Sequence, residues 1–277
     1  MGLSVFLIIL MAAALHATWN VIVKGGGDSA MMTITVTGAA ALIAAVALPF
    51  LPAPHRQSWP LIASSAILSI CYYVLVGQTY KIADMSRAYP LMRGTAPLIV
   101  ALASTVILSD RLVVGAWCGV AVICAGVLAM TGGRKPDQAA GTRLALLNAC
   151  VIASYTLVDG AGVRQAGNAA SYTLWIFLLT GVPLVAWALA RRGFAFRVFA
   201  RTNWRLAGFG GAGMVTSYGL ALWAMTATSV AMVAALRETA IIFGTSISAL
   251  VLKERVDRRR MIAALVIAVG AIILRAS

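Results

Sequence analysis

The stretch Ala88-Tyr89-Pro90-Leu91-Met92-Arg93-Gly94-Thr95-Ala96-Pro97 places one arginine in the middle of an otherwise apolar segment. A second segment of this kind, Met232-Val233-Ala234-Ala235-Leu236-Arg237-Glu238-Thr239-Ala240, follows later in the chain. Arg93 and Arg237 are 144 positions apart. A charged side chain in a long apolar segment is costly, and it usually faces a bundle interior or a watery cavity.

The same spacing relates the residues that follow each segment. Asp110-Arg111 is matched by Glu254-Arg255, and Gly126 is matched by Gly270. A single spacing that holds from Ala83 and its match Ala227 to Gly126 and its match Gly270, more than forty positions, indicates an internal repeat rather than a chance likeness of apolar segments.

The composition is that of a membrane protein. Of the 277 residues, 61% are hydrophobic and 11% are charged, and the mean hydropathy is +0.93. A soluble protein would carry roughly a quarter charged residues. Stretches without Asp, Glu, Lys or Arg cover 2–23, 29–55, 57–80, 112–133, 165–190 and 206–236. About 20 apolar residues span the hydrocarbon layer, so these stretches predict membrane spans.

The pattern predicts an all-α integral membrane fold with ten transmembrane helices. The predicted spans are 3–23, 30–50, 59–80, 86–108, 112–131, 143–159, 171–190, 205–225, 230–252 and 259–275. They form a first five-helix repeat (1–131), a linker loop (132–142) and a second five-helix repeat (143–277). Because five is odd, the second repeat is inverted relative to the first, a plan common among secondary transporters.

The net charge of +14 does not indicate nucleic-acid binding, because the basic residues lie in short loops between spans. Sixteen lysines and arginines fall on loops of the face opposite the termini, against four on the face that carries the termini. The positive-inside rule therefore predicts that both termini lie outside the cytoplasm. The four cysteines lie in apolar stretches without metal-site spacing, and no metal or other cofactor is expected.

The turn before the last helix of each repeat has an acid–arginine–aliphatic pattern, Asp110-Arg111-Leu112 and Glu254-Arg255-Val256. Together with ten spans and two inverted repeats, it resembles the EamA-type transporters of the drug/metabolite transporter superfamily over essentially the whole chain. The resemblance implies a multi-pass protein of the bacterial inner (plasma) membrane that moves small metabolites, often as an exporter of amino acids and related compounds.

One departure bears on the substrate. The small four-helix multidrug relatives have a carboxylate in their first helix, whereas this chain has His16 and Asn20 there and no acid. The departure argues against export of polyaromatic cations.

The first span places His16, Trp19 and Asn20 at positions i, i+3 and i+4, which lie on one face of a helix. Polar and aromatic groups suit a cavity, where histidine can also titrate near neutral pH. Tyr155 occupies a matching place in the sixth span. In the alternative interpretation, Trp19 anchors at the membrane interface and His16 bonds a backbone carbonyl.

Arg93 shares a helix face with Tyr89, four residues before it. A guanidinium offers a planar fork of donors suited to a carboxylate, phosphate or phosphonate. Glu238 points about 100° away from Arg237 on a helix, so it is expected to pair with an arginine of another helix, Arg93 being the candidate. The alternative is that these three charges form a structural cluster that joins the two halves.

Aromatic side chains with hydroxyl tips on the third and eighth spans would suit an amphipathic solute. The predicted substrate-binding set is His16, Trp19, Asn20, Tyr73, Tyr89, Arg93, Tyr155, Ser217, Tyr218, Arg237 and Glu238. Asp159, by contrast, is interpreted as a residue at the end of the sixth helix.

These observations predict a secondary active transporter that exports a small amphipathic metabolite with an anionic or zwitterionic group by alternating access. The alternatives are an exporter of lipophilic amines or drug-like cations that uses Glu238, and a membrane scaffold or enzyme subunit without transport. The chain has no phosphate-binding loop or hydrolase motif, so it is not expected to be an enzyme. The expected partners are a small-molecule substrate, the lipid bilayer and a coupling proton bound by His16 or Glu238, with no nucleic acid, in a monomer or homodimer.

Overall fold

The computed structural model describes residues 1–83, 85–131, 139–250 and 257–277, and every regular element in these ranges is helical. The predicted turn at Glu254-Arg255-Val256 lies outside the described residues, as does the first part of the predicted linker (132–138). The remaining linker residues, 139–142, belong to a helix that begins at Ala139.

Eleven α-helices and three 3-10 turns make up the described part of the chain. The helices are α1 (Leu3–Gly25), α2 (Ser29–Ala47), α3 (Trp59–Ile82), α4 (Met85–Ile107), α5 (Val114–Leu128), α6 (Ala139–Gln165), α7 (Ala169–Thr202), α8 (Trp204–Ala227), α9 (Val230–Leu236), α10 (Ala240–Leu250) and α11 (Arg258–Ala276). The 3-10 turns are Leu48–Phe50, Arg56–Ser58 and Arg237–Thr239.

Two of these helices begin at side-chain caps that the sequence supplies. Asp28 accepts hydrogen bonds from the backbone N–H groups of Ala30 and Met31, both at 3.0 Å, at the start of α2. Asn168 accepts one from Ser171 at the start of α7. Such caps satisfy backbone donors that have no partner within the helix.

Seven helical stretches in the described ranges are long and apolar enough to cross a membrane, and the stretch from Val230 to Ile247, which includes the 3-10 turn, is one of them. Helices α5, α8 and α11 are not in that set: α5 has only 15 residues, and α11 begins with three arginines. The count of ten crossings stays a prediction.

The predicted seventh span, 171–190, ends close to a kink in α7 at Gly193, where φ is +48°, and a second helical segment follows the kink to Thr202. Two other predicted helices were wrong. The sixth helix continues to Gln165, so Asp159 lies inside α6 and not at its end. The ninth is interrupted at Arg237–Thr239, where the hydroxyl of Thr239 donates to the carbonyl of Leu236 at 2.7 Å. Such a bond from a threonine to a carbonyl of the preceding turn bends a helix locally.

The two halves of the chain interleave rather than pack as separate bundles. Helix α1 packs on α8 and α10, α2 on α7 and α8, α3 on α6 and α7, and α5 on α11. Cβ atoms added at Gly119, Gly126 and Gly270 would come within about 3 Å of neighbouring atoms across the α5–α11 contact. Small residues at these positions therefore allow the two helices to approach closely.

Several large apolar side chains are exposed and three charged side chains are buried, which is the reverse of the usual arrangement in a soluble protein. Large apolar side chains such as Val106 and Val114 are about four-fifths exposed, while Arg93, Arg237 and Glu238 are buried. Exposed apolar side chains suit contact with lipid, and charged side chains within a membrane usually face the interior of the bundle.

Candidate functional site

The main pocket lies between the two halves of the chain. Its walls come from α1, α3, α4, α6, α7, α8 and the Arg237–Thr239 turn. It holds about 780 Å³ of space free of atoms, including the part that opens to the outside. A smaller neighbouring pocket, behind Arg93 and Arg237, holds about 310 Å³ by the same measure, so the larger one is the candidate site.

The structure brings most of the predicted site residues to this one pocket. Ten of the eleven line it: His16, Trp19, Asn20, Tyr73, Tyr89, Arg93, Tyr155, Ser217, Tyr218 and Arg237. Glu238 lines the smaller pocket instead. Whether these side chains bind a solute stays a prediction.

His16, Trp19 and Asn20 all face the pocket, as expected of residues on one face of α1. The rings of His16 and Trp19 meet edge-on with their centroids 5.1 Å apart. The side-chain amide of Asn20 donates to the carbonyl of His16 at 2.7 Å. All three side chains line the pocket, and the imidazole of His16 makes no hydrogen bond to a carbonyl of the described residues.

Arg93 and Glu238 form a two-point ion pair between the two halves of the chain. The Nε atom of Arg93 lies 3.1 Å from Oε2 of Glu238, and its Nη2 atom lies 2.9 Å from Oε1. Both side chains are at least nine-tenths buried. The expected pairing is confirmed, and it leaves the charge of Arg93 compensated.

Arg237 is placed differently from its repeat counterpart. Its guanidinium carbon lies 5.1 Å from the centroid of the Tyr218 ring, within the range of a cation–π interaction. Among the described residues, no carboxylate lies within 4.0 Å of its nitrogens, and no hydrogen bond engages its guanidinium. Arg237 lines the pocket, so its donors remain available there.

Comparison with known proteins identifies the family. The sequence matches the EamA-like transporter family over two segments, residues 3–132 and 140–276. The chain belongs to this family. It is therefore a multi-pass membrane transporter of the drug/metabolite transporter superfamily.

A solved crystal structure superposes on this transporter with a TM-score of 0.74, covering 99% of this chain and 96% of its own. The two sequences are 18% identical, so the likeness shows the fold alone. No curated protein sequence matches the chain.

On the face that carries the termini, a network of hydrogen bonds and one ion pair joins the two halves of the transporter. Arg164, at the end of α6, donates to the backbone carbonyls of Met225 at 2.9 Å and Thr228 at 3.1 Å. It also pairs with Asp110 at 3.0 Å, and Asp110 accepts a hydrogen bond from the backbone N–H of Val230 at 2.9 Å. We call Asp110, Arg164, Met225, Thr228 and Val230 the terminal-face network.

The sequence interpretation missed several residues of the site region. Asp110 was noted only as part of a turn motif, and neither Arg164 nor Thr180 was assigned to the site. Thr180 lines the pocket, and its buried hydroxyl has no hydrogen-bond partner among the described residues. Asp159 lies behind the pocket wall, where it accepts hydrogen bonds from Tyr172 and Tyr218. The apolar run that continues past Asp159 in the sequence was the signal that could have placed it inside a helix.

Proposed function

We propose that this transporter exports a small amphipathic metabolite with an anionic or zwitterionic group, such as an amino acid or a related compound, by alternating access. The observation that carries the proposal is Arg237: a buried cation at the pocket wall with no carboxylate partner among the described residues. A planar guanidinium suits a carboxylate or another oxyanion, and a bound anion would complete the charge balance.

The rest of the pocket supports a solute with an apolar body. Tyr72, Tyr73 and Tyr155 form an aromatic wall, in which the ring centroid of Tyr72 lies 5.2 Å from that of Tyr73 and 6.1 Å from that of Tyr155. The hydroxyl of Thr180 is buried without a hydrogen-bond partner, and it would gain one from a polar solute. Aromatic walls with a few convergent polar groups are typical of small-molecule sites.

The terminal-face network supports alternating access. Val230 lies seven residues before Arg237 along α9, which places the network about 10 Å from the pocket arginine along the helix axis, at a ~1.5 Å rise per residue. It joins the α4–α5 loop of the first half to α6, α8 and α9 of the second. In our proposal it is the closed gate of this conformation, and it opens when two inverted five-helix halves with ten crossings rock against each other.

The alternative function, a cation exporter, was predicted to bind its substrate through Glu238. Glu238 is already paired with Arg93 at two points, so it is not free to bind a lipophilic amine. The charge left at the pocket wall is that of Arg237, which repels cations.

Binding of three aromatic probes that differ in the charge of the head group tests the proposal. The probes are benzenesulfonate (an anion), L-phenylalanine (a zwitterion) and benzyltrimethylammonium (a cation), titrated into the purified protein. We expect the anion and zwitterion to bind better than the cation. We also expect Arg237→Gln to weaken their binding by about 10- to 100-fold, since a hydrogen bond to a charged group is worth about 1.5–3 kcal/mol.

The matched control is Arg275→Gln, which removes an arginine in the last turn of α11, away from the pocket. It should leave the affinities of all three probes unchanged. Equal affinities of Arg237→Gln and the native protein for both the anion and the zwitterion would refute the proposal. Preferred binding of the cation would favour the amine-exporter alternative.

The charge bias of the loops extends the proposal to location. We place the transporter in the bacterial inner membrane with both termini outside the cytoplasm, because basic loops are retained on the cytoplasmic side. A tag at Ser277 should be accessible to an impermeant reagent in intact cells stripped of their outer membrane. Accessibility only after the membrane is permeabilised would reverse this orientation.

A further inference from the structure

Asp159 is a fully buried carboxylate inside the bundle, five residues before Arg164 on α6. It sits in α6, and two phenols from other helices donate hydrogen bonds to it. The Tyr172 hydroxyl on α7 donates to Oδ1 at 3.2 Å, and the Tyr218 hydroxyl on α8 donates to Oδ2. Each carboxylate oxygen is therefore held by a different helix.

The carboxylate accepts hydrogen bonds from two phenols, and it forms no ion pair within the described part of the chain. The ion pairs of the described residues are Arg93–Glu238 and Arg164–Asp110, and neither includes Asp159. The buried hydroxyl of Ser65 on α3 has no hydrogen-bond partner among the described residues. An acid held this way can exist as a hydrogen-bonded anion or as a neutral carboxylic acid, because a protonated oxygen can donate where it formerly accepted.

We propose that Asp159 is a proton-binding site of the transporter, and that protonation of Asp159 strengthens the binding of an anionic group at Arg237. The first half of the proposal stands on the geometry of Asp159 alone. The second half rests on the proposed function of Arg237.

The surroundings fit a proton better than a metal cation. The phenols of Tyr172 and Tyr218 point their hydrogens at the carboxylate, whereas a sodium or calcium ion needs several oxygen lone pairs directed at it. In the part of the chain that the structure describes, no three His, Cys, Asp or Glu side chains are grouped to hold a metal ion. A proton needs no such cage.

Tyr218 connects the acid to the pocket. Its hydroxyl bonds Asp159, its ring lies under the guanidinium of Arg237, and its side chain lines the main pocket. When a proton adds to a carboxylate oxygen, the new O–H donates to the Tyr218 oxygen, and the phenol keeps its own proton. The hydroxyl hydrogen of Tyr218 is then free to turn toward the pocket.

Charge gives the coupling its sign. Tyr218 contacts both groups, since its hydroxyl bonds the Asp159 carboxylate and its ring lies 5.1 Å from the guanidinium carbon of Arg237. Protonation removes the negative charge near Arg237, so an anion in the pocket becomes the remaining compensation for that cation. Coupling of this kind is reciprocal, so the bound anion also favours the protonated acid. In an exporter of anions, each solute would then leave together with a proton, and the concentration gradient of the solute would drive the export.

Other groups near the site also respond to pH or charge and must be separated from Asp159. Tyr155 on α6 and His16 on α1 both line the pocket, and the Arg93–Glu238 pair borders it from α4 and the 3-10 turn. Of these, His16 is the group that titrates near neutrality when unperturbed, and its protonation would also favour an anion.

The first test uses infrared spectroscopy of the purified transporter without solute. Native protein should show a carboxylic-acid band that grows on acidification and is missing from Asp159→Asn, an isosteric variant. Identical pH-difference spectra of native protein and Asp159→Asn would overturn the proposal. This test needs no probe, so it decides on proton binding even if the Arg237→Gln result refutes the proposed function.

The second test measures benzenesulfonate affinity at mildly acidic and mildly alkaline pH, since a sulfonate stays ionised at both. Native protein and His16→Asn should bind about 5- to 10-fold more tightly at acidic pH, within the usual range for coupled sites. Asp159→Asn should bind tightly at both pH values. A pH effect that persists in Asp159→Asn and vanishes in His16→Asn would overturn the linkage, as would native affinity that is independent of pH.

Discussion

The segments around Arg93 and Arg237 are copies in the sequence, yet they differ in backbone and in charge environment. Arg93 lies in α4, which continues through Pro90 and Pro97. Arg237 lies in a 3-10 turn that separates α9 from α10, in a segment without proline. The copy that contains two helix-breaking residues is thus the continuous one.

The charge environment separates the two copies further. Arg93 is compensated by Glu238 at two points, whereas Arg237 has the face of Tyr218 and no carboxylate partner among the described residues. In our proposal, the two arginines supplied by the repeat have different roles: one stabilises the structure and the other binds the ligand. The acid that decides this difference, Glu238, is the residue that the first copy replaces with Gly94.

The largest effect is expected on breaking the ion pair. Arg93→Gln leaves Glu238 as an uncompensated buried charge, and Glu238→Gln leaves Arg93 in the same position. Loss of one partner of a buried pair costs about 3–5 kcal/mol. We expect both single variants to unfold at clearly lower temperature or denaturant concentration, measured in the same detergent or lipid.

The double variant Arg93→Gln/Glu238→Gln is the control for this prediction, because it removes both charges together. It should recover much of the stability that each single variant loses. Single variants as stable as the native protein would mean that Arg93 does not depend on Glu238, and the contrast between the two copies would disappear.

A second prediction concerns the start of α9, the helix that ends at the 3-10 turn containing Arg237. Asp110→Asn should weaken the terminal-face network, which fixes the first backbone N–H of α9 and Arg164. With native cysteines replaced, Thr180→Cys should then react about 10-fold faster with an impermeant thiol reagent added on the terminal face, the size expected from one charge-assisted bond.

The matched control for the terminal-face network is Asp28→Asn, which removes a capping carboxylate from the N-terminus of α2 on the opposite face. Its labelling rate from the terminal face should equal that of the native background. Equal rates for Asp110→Asn and the background would show that this network does not close the transporter.

A third prediction, with a smaller expected effect, concerns the contribution of Thr180 to solute binding. Thr180→Val removes a buried hydroxyl without a partner, so stability should not fall, while L-phenylalanine affinity should drop by roughly 2- to 10-fold. Thr173→Val is the control on the same helix, because its hydroxyl already bonds Ala169 at 2.7 Å and lies outside the pocket. A loss of affinity in Thr173→Val as large as in Thr180→Val would remove Thr180 from the site.

The pairing of Arg93 with Glu238 was predictable, because the repeat alignment and the direction of neighbouring helical side chains together leave Glu238 facing another helix. The helix boundaries were less so. Asp159 was assigned to a helix end because a charge usually marks one, and only the contacts of Tyr172 and Tyr218 show how a buried acid is accommodated. The pairing of Asp110 with Arg164 joins the α4–α5 loop to the end of α6, 54 positions later, and no local pattern encodes such a contact.

The most direct test of the unequal roles of the two arginines is transport of labelled benzenesulfonate by proteoliposomes. Two variants are compared, Arg237→Gln and the charge-balanced double variant Arg93→Gln/Glu238→Gln. We predict that the double variant retains saturable transport and that Arg237→Gln loses it. Retained transport in Arg237→Gln, together with loss in the double variant, would contradict the assignment of the anion site to Arg237.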